Sequence, residues 1–364
     1  MTQFAGPPGA AIATTRFGLG ALPDEIAQAS TDPQGWLAAQ IRPQGAPQPV
    51  TDDAMPLRST AGAMADLVEY REAVKGAQKG DEERKLARQK LLEPTATDLL
   101  ARTRLGALTS QSFAERWALF WSNHFTVSVS KSIELAALAP VFEREAIRPN
   151  VFGRFEELLV ASSRHPAMLL YLDQTRSIGP NSRAGLRKAG GLNENLAREI
   201  MELHTLGADA GYSQADVTEF ARALTGWSVG RDNTPGEPFG AFVFRANIHE
   251  PGPRQIFGRT YGEGEEEQGR RILADLAAHP KTADHIARKL AIHFVSDRPD
   301  PALTARLSQS FRRSHGDLAA LARTLISAPE AWVPDAGKIK TPYELVVSSY
   351  RALGQAPRNF QREV

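Results

Sequence analysis

At 364 residues and 42% hydrophobic composition, the chain is long enough to bury a sizeable core, as one large domain or two ordinary ones. Lys plus Arg number 43 against 42 Asp plus Glu, so no net field draws it onto nucleic acid or an anionic membrane, and no nucleic-acid partner is expected. The absence of cysteine excludes disulfides, thiolate zinc sites and cysteine nucleophiles, so any metal must be held by histidine, carboxylate or amide groups.

Residues 1–14 are small and rich in Pro and Gly, and are expected to be disordered or extended. They lack the basic and apolar regions of a secretory signal, which makes the cytoplasm the default location and leaves the periplasm open. No apolar run approaches the roughly 18 residues of a membrane span. A short helix is expected over 33–40. Pro43, Pro47, Pro49 and Pro56 then remove backbone donors and fix φ, which predicts an extended connector. The charged stretch 66–92, broken at Gly76 and Gly80, reads as two solvated, mobile helices.

The dense part begins at Ser112. Ser112 and Glu115 have the spacing of a capping box, and Phe113, Trp117, Phe120, Trp121 and Phe125 follow at helical spacing, which predicts the central core helix. Further helices are expected over 140–148, 152–163, 166–173, 194–206, 214–224, 269–278, 283–294, 301–311, 318–327 and 343–353. Between 239 and 261, Phe242, Val243 and Phe244 face Ile256 and Phe257 across a Pro/Gly-rich interval, the pattern of a small hairpin. The expected fold is therefore mainly α: one multi-helix domain over 15–354, with a β-hairpin insertion, an irregular N-terminal lobe and a tail at 355–364.

The common nucleotide-binding, serine-hydrolase and zinc-protease signatures are missing. The most informative helix is 194–206, with Asn193 as its expected cap and Gly207 just past its end. At about 100° per residue, Leu196, Ile200 and Leu203 form a buried stripe, flanked by Asn195, Glu199 and Glu202. His204 then points about 160° away from Glu202, so a straight helix cannot bring both to one ion. Paired Glu199 and Glu202 could bind a cation or share a proton, or simply pair with Arg198 or Arg222. His204 in the last turn also suits the C-terminal carbonyls.

His124 lies on or beside the aromatic face of the core helix, with Asn123 next to it as a ligand-orienting or capping group. His293 reads as packing, while His165 and His279 each precede proline and mark helix entries. His249 lies in the loop His249-Glu250-Pro251-Gly252-Pro253, where polar groups on a rigid turn are often functional.

The runs Arg16-Phe17-Gly18-Leu19-Gly20, Phe120-Trp121-Ser122-Asn123-His124-Phe125, His165-Pro166-Ala167-Met168-Leu169, Leu192-Asn193-Glu194-Asn195, Glu202-Leu203-His204-Thr205-Leu206-Gly207, Leu224-Thr225-Gly226-Trp227 and His249-Glu250-Pro251-Gly252 stand in order along the chain. Together, from about Thr15 to Leu353, they resemble the domain-of-unknown-function 1800 (DUF1800) family. The resemblance names no reaction. It implies a bacterial protein and a co-encoded partner from a second uncharacterised, sulfatase-related family. It also implies that relatives continue past the position of Val364.

Two functions are open at this point. In one, His124, Glu199, His204 and His249, with Asn123, Asn195 and Glu202, line a pocket that holds a divalent metal or supplies acid and base groups for a hydrolytic or oxidative step. His124, Glu199 and His249 are then the catalytic residues. In the other, the same groups are hydrogen-bonded struts of a non-catalytic helical accessory protein.

Overall fold

A computed structural model describes residues 8–51, 57–76, 78, 81–187, 190–231, 236–334 and 338–358. The chain opens with α1 (Pro8–Ile12), a π-helical turn (Ala13–Phe17) and two short helices, α2 (Glu25–Gln28) and α3 (Pro33–Ala38). Then come α4 (Thr60–Ala73), α5 (Glu82–Leu108), α6 (Ser112–His124) and α7 (Ile133–Phe142), the last running into a second π-turn (Glu143–Ile147). α8 (Phe155–Arg164) and α9 (Pro166–Tyr171) lead to α10 (Asn195–Glu199), which continues through a third π-turn (Ile200–Thr205). After α11 (Gln214–Leu224) come β1 (Trp227–Val229), β2 (Phe242–Phe244), β3 (Arg254–Ile256) and β4 (Arg259–Tyr261). The last helices are α12 (Glu265–Ala278), α13 (Pro280–Phe294), α14 (Pro301–Arg313), α15 (Leu318–Ser327) and α16 (Pro342–Ala352).

The architecture is mainly α, with one buried apolar cluster that runs from Ala13 to Ala331. α6 sits at its centre. Trp117 packs on Phe113, Trp121, Phe152 and Phe294, and its indole N–H donates to the Val151 carbonyl at 2.7 Å. Many helix starts are capped by their own sequence. Asp32, Ser59, Ser132, Ser213, Asp300, Asp317 and Thr341 each accept a first-turn backbone N–H. His165 and His279 do the same through Nδ1, each followed by proline at the first helical position.

Several expectations are corrected. Residues 8–14, within the terminus expected to be disordered or extended, are helical, because small side chains let Ala10 and Ala13 pack inside; residues 1–7 lie outside the described residues. The expected hairpin is two hairpins: β2 pairs with β1 (Trp227 opposite Phe244) and β3 with β4 (Arg254 opposite Tyr261). Trp227 lies outside the alternating stretch, so the pattern missed β2's true partner.

Ser112 and Glu115 form no capping box. Gln40 Oε1 takes the Phe113 N–H at 2.9 Å, and Glu115 turns inward to Arg148. The charged helices run as α4 and α5, held by Arg58–Asp66 (2.9 Å) and Lys90–Glu69 (2.5 Å), with Leu67 and Leu91 buried. Gly80, part of the connector (52–56) and the end of the tail (359–364) lie outside the described residues.

Buried arginines bind distant segments together. Arg148, fully buried, donates to both Glu115 oxygens at 2.7 and 2.8 Å and to Glu143 at 2.7 Å, while Arg102 reaches Glu143 from α5. Arg351 of α16 meets Glu25 at 2.8 Å and the carbonyls of Gly20, Gly106 and Thr109. Arg116 pairs with Glu344 at 3.0 Å. Such pairs satisfy every charge they bury, and removing one partner typically costs about 3–5 kcal/mol.

Candidate functional site

The helix that carries most of the expected site residues is not regular. The Leu206 N–H reaches back to Met201 at 2.9 Å, and the Thr205 hydroxyl to the Ile200 carbonyl at 2.6 Å, both five residues away. A turn with more residues shifts the helix phase. Leu196, Ala197, Ile200, Met201, His204 and Thr205 are therefore buried, whereas Leu203, expected inside, is 47% exposed.

His204 so reaches the interior, where its ring centre lies 6.0 Å from that of His124. His124 Nε2 donates to the His204 carbonyl at 3.0 Å, and His285 Nε2 of α13 donates to the Leu203 carbonyl at 3.1 Å. Both carbonyls belong to a terminal turn, where no intrahelical donor remains. Two imidazoles from other helices thus close this helix end, which Gly207 leaves with φ +89°. A side chain at Gly207 would press on His285, since its Cβ would lie 3.0 Å from Nδ1.

The groups around this point are all basic. Burial, then Lys289, His204 and His285, push His124 well below the usual histidine range. Burial, Lys289 and His285 hold His204 at about 3. Burial alone lowers Lys289 to about 8, and among the described residues it makes no ion pair. The remaining Nδ1 atoms of His124 and His204 are buried without partners.

The other expected residues lie apart. His249 is buried against Phe244, and its Nδ1 donates to the Thr225 carbonyl at 2.8 Å while Nε2 is sealed without a partner. Its neighbour Glu250 is wrapped by the Asn181 N–H and side-chain amide at 2.7 and 2.6 Å. None of these contacts is shared with His124. Asn123 faces a separate cleft of about 270 Å³ beside Arg102 and Val127. Asn195 is exposed, its N–H on Asn193 Oδ1 at 2.9 Å.

Glu199 is half-buried, and burial followed by Glu202 raises its pKa. The expected basic partners are engaged elsewhere, Arg198 with Glu194 (2.9 Å) and Arg222 with Glu219 (2.5 Å). Among the described residues, no group of three or more His, Asp or Glu side chains is placed to hold a metal ion.

A larger concavity of about 590 Å³ opens between α4, α8, α9 and the start of β2. Its apolar wall is Val160, Ala161, Pro166, Phe239 and Phe242. Its floor joins three helix ends. The second π-turn delivers Glu145, whose Oε1 accepts the Thr60 N–H at 2.9 Å and whose Oε2 accepts the Thr60 hydroxyl at 2.7 Å. His165 Nε2 stands 3.1 Å from Thr60 Oγ1 and 3.7 Å from Glu145 Oε2.

Because His165 Nδ1 accepts the Ala167 N–H at 3.1 Å, the ring proton sits on Nε2. Donation therefore runs from His165 to Thr60 to Glu145. Burial would raise the Glu145 pKa, but the nearby His165 imidazole and the Thr60 hydrogen bonds outweigh it and hold the group at about 2. Thr60 and Glu145 carry no sequence signal of their own, and His165 gave only that of a helix entry.

A family model described as "Protein of unknown function (DUF1800)" matches residues 12–363, nearly the whole chain. No curated protein and no solved structure gave a match. No helix among the described residues is long and apolar enough to cross a membrane.

Proposed function

The chain belongs to the DUF1800 family, and we propose that this member is a binding protein for a small organic ligand, seated in the cleft floored by Thr60, Glu145 and His165. One observation carries the reading: in this cleft an apolar wall of drug-ligand dimensions meets a carboxylate, a hydroxyl and an imidazole already oriented by one another. The arrangement favours recognition over chemistry. His165 has committed both ring nitrogens, and Glu145 at about 2 is a poor base toward the Thr60 hydroxyl. His124 and His249 each give one nitrogen to a carbonyl and bury the other, which suits struts better than proton shuttles.

Acid/base catalysis has a second, narrower support. Glu199 and Glu202 lie half-buried and free of ion pairs among the described residues, and burial, followed by repulsion from Glu202, keeps a proton on Glu199 to higher pH than usual. A co-encoded sulfatase-related partner is compatible with either reading.

The cleft is tested with neutral aromatic probes such as indole and benzyl alcohol. Ligand-observed NMR is expected to show binding to the wild type and its loss in Ala161→Trp, which fills the apolar wall. Equal binding to a correctly folded Ala161→Trp protein would remove the cleft as the site.

A further inference from the structure

We propose that the cleft ligand is an organic cation with an apolar body, an ammonium or guanidinium group that docks on Glu145 while its hydrocarbon part lies along Val160, Ala161 and Phe242. The inference rests on the binding reading above and narrows it to a ligand class. Glu145 is the unusual element. Its charge is held by the Thr60 hydrogen bonds and the neighbouring His165 imidazole, and among the described residues no arginine or lysine pairs with it. The buried carboxylates Glu115 and Glu143 are matched by Arg148, whereas Glu145 lies nearer the surface with no such cation paired to it among the described residues. Here the side chain is 39% exposed toward an apolar-walled space. Each oxygen accepts one near bond and keeps capacity for another.

The two arginines of the cleft do not supply that match. Arg164 lies 4.0 Å from the Phe242 ring centre and pairs with Glu266 at 2.9 Å, and Arg270 sits at the exposed mouth beside Glu267 at 3.8 Å. Glu156, also lining the cleft, makes no ion pair among the described residues, so the carboxyl groups without a cation outnumber the cations without a carboxyl group. Phe242, faced by Arg164 on one side, shows that this wall already accepts a planar cation. A bound cation would replace water at Glu145 with a charge-assisted hydrogen bond inside a low-dielectric wall.

The test compares three probes of nearly equal shape on the full chain: 2-phenylethylammonium, 2-phenylethanol and 3-phenylpropionate, with phenylethylguanidinium to separate the two cation types. Calorimetry or ligand-observed NMR is expected to rank the cations at least tenfold tighter than the alcohol, with the carboxylate weakest. Glu145→Gln, which keeps an oxygen for the Thr60 N–H, is expected to erase the preference of the cations over the alcohol. If that variant melts, the wild-type ranking decides by itself. Alcohol and ammonium binding equally, or the carboxylate binding best, would overturn the inference and leave the cleft standing; binding by none of the four would overturn both.

Discussion

Around His124 and His204 every neighbouring titratable group is basic and the rings are sealed, whereas around His165 stand a carboxylate and a hydroxyl, and the space beyond them is open. Both centres use an imidazole N–H or lone pair to finish a helix end: His124 and His285 donate to the last carbonyls after α10, and His165 accepts from the first N–H groups of α9. The same side chain thus closes a C-terminus as donor and an N-terminus as acceptor. What separates the centres is the counter-charge. Among the described residues, the sealed one has three imidazoles and Lys289 with no carboxylate among the charges acting on them, and the open one has an ionised Glu145 paired with no lysine or arginine.

Acid should break the sealed centre first, and this is the largest effect expected. His124 and His204 sit below 6.5 when folded, so the unfolded chain binds more protons as pH falls through 6.5, and stability present above that value is lost. With a slope that approaches about 1.4 kcal/mol per pH unit for each imidazole, the two together give up about 3 kcal/mol between pH 6.5 and 5. His249, His285 and His293 shift the same way, chiefly by burial. Glu145 also has a depressed value, but its contribution persists down to the usual carboxylate range and is lost only as pH falls from 4.5 toward about 2. Urea unfolding at pH 7.5 and 5.0 measures the difference. Equal stability at the two pH values would mean that the imidazoles titrate freely in the folded protein.

A smaller effect of opposite sign tests the missing counter-charge. Lys289→Met removes a cation that lacks a partner, and the drop from 10.5 to about 8 corresponds to about 3 kcal/mol of strain relieved. Partial exposure screens this, so a gain of about 1–2 kcal/mol in denaturant stability is expected, with cleft binding unchanged. A loss of stability would show that Lys289 is held by a stabilising contact and is not an unpaired charge.

Much of the helical body was legible because its signals are local. Apolar spacing located α6, and the proline after each of His165 and His279 marks a helix entry. The candidate site was legible only in fragments. His124 and His204 do meet, but across 80 positions of chain, and the π-turn leaves exposed the Leu203 that a regular wheel sends inward. Glu145 rides on another such turn and meets Thr60 and His165 from 85 and 20 positions away, distances over which no spacing rule operates. Both turns serve these centres, consistent with the tendency of π-bulges to fall at functional positions.

The third π-turn can itself be tested by the smallest effect expected, that of Leu203→Ala. On a regular helix Leu203 would share the buried face of Leu196 and Ile200, and truncating it would cost about 2–5 kcal/mol through lost burial and a cavity. In the observed turn the side chain is 47% exposed, so the same substitution should change stability by no more than about 0.5 kcal/mol. Ile200→Ala, buried in either geometry, is the internal reference and keeps the full cost. Should Leu203→Ala prove as damaging as Ile200→Ala, Leu203 would lie inside and the turn that carries His204 would be regular, not widened.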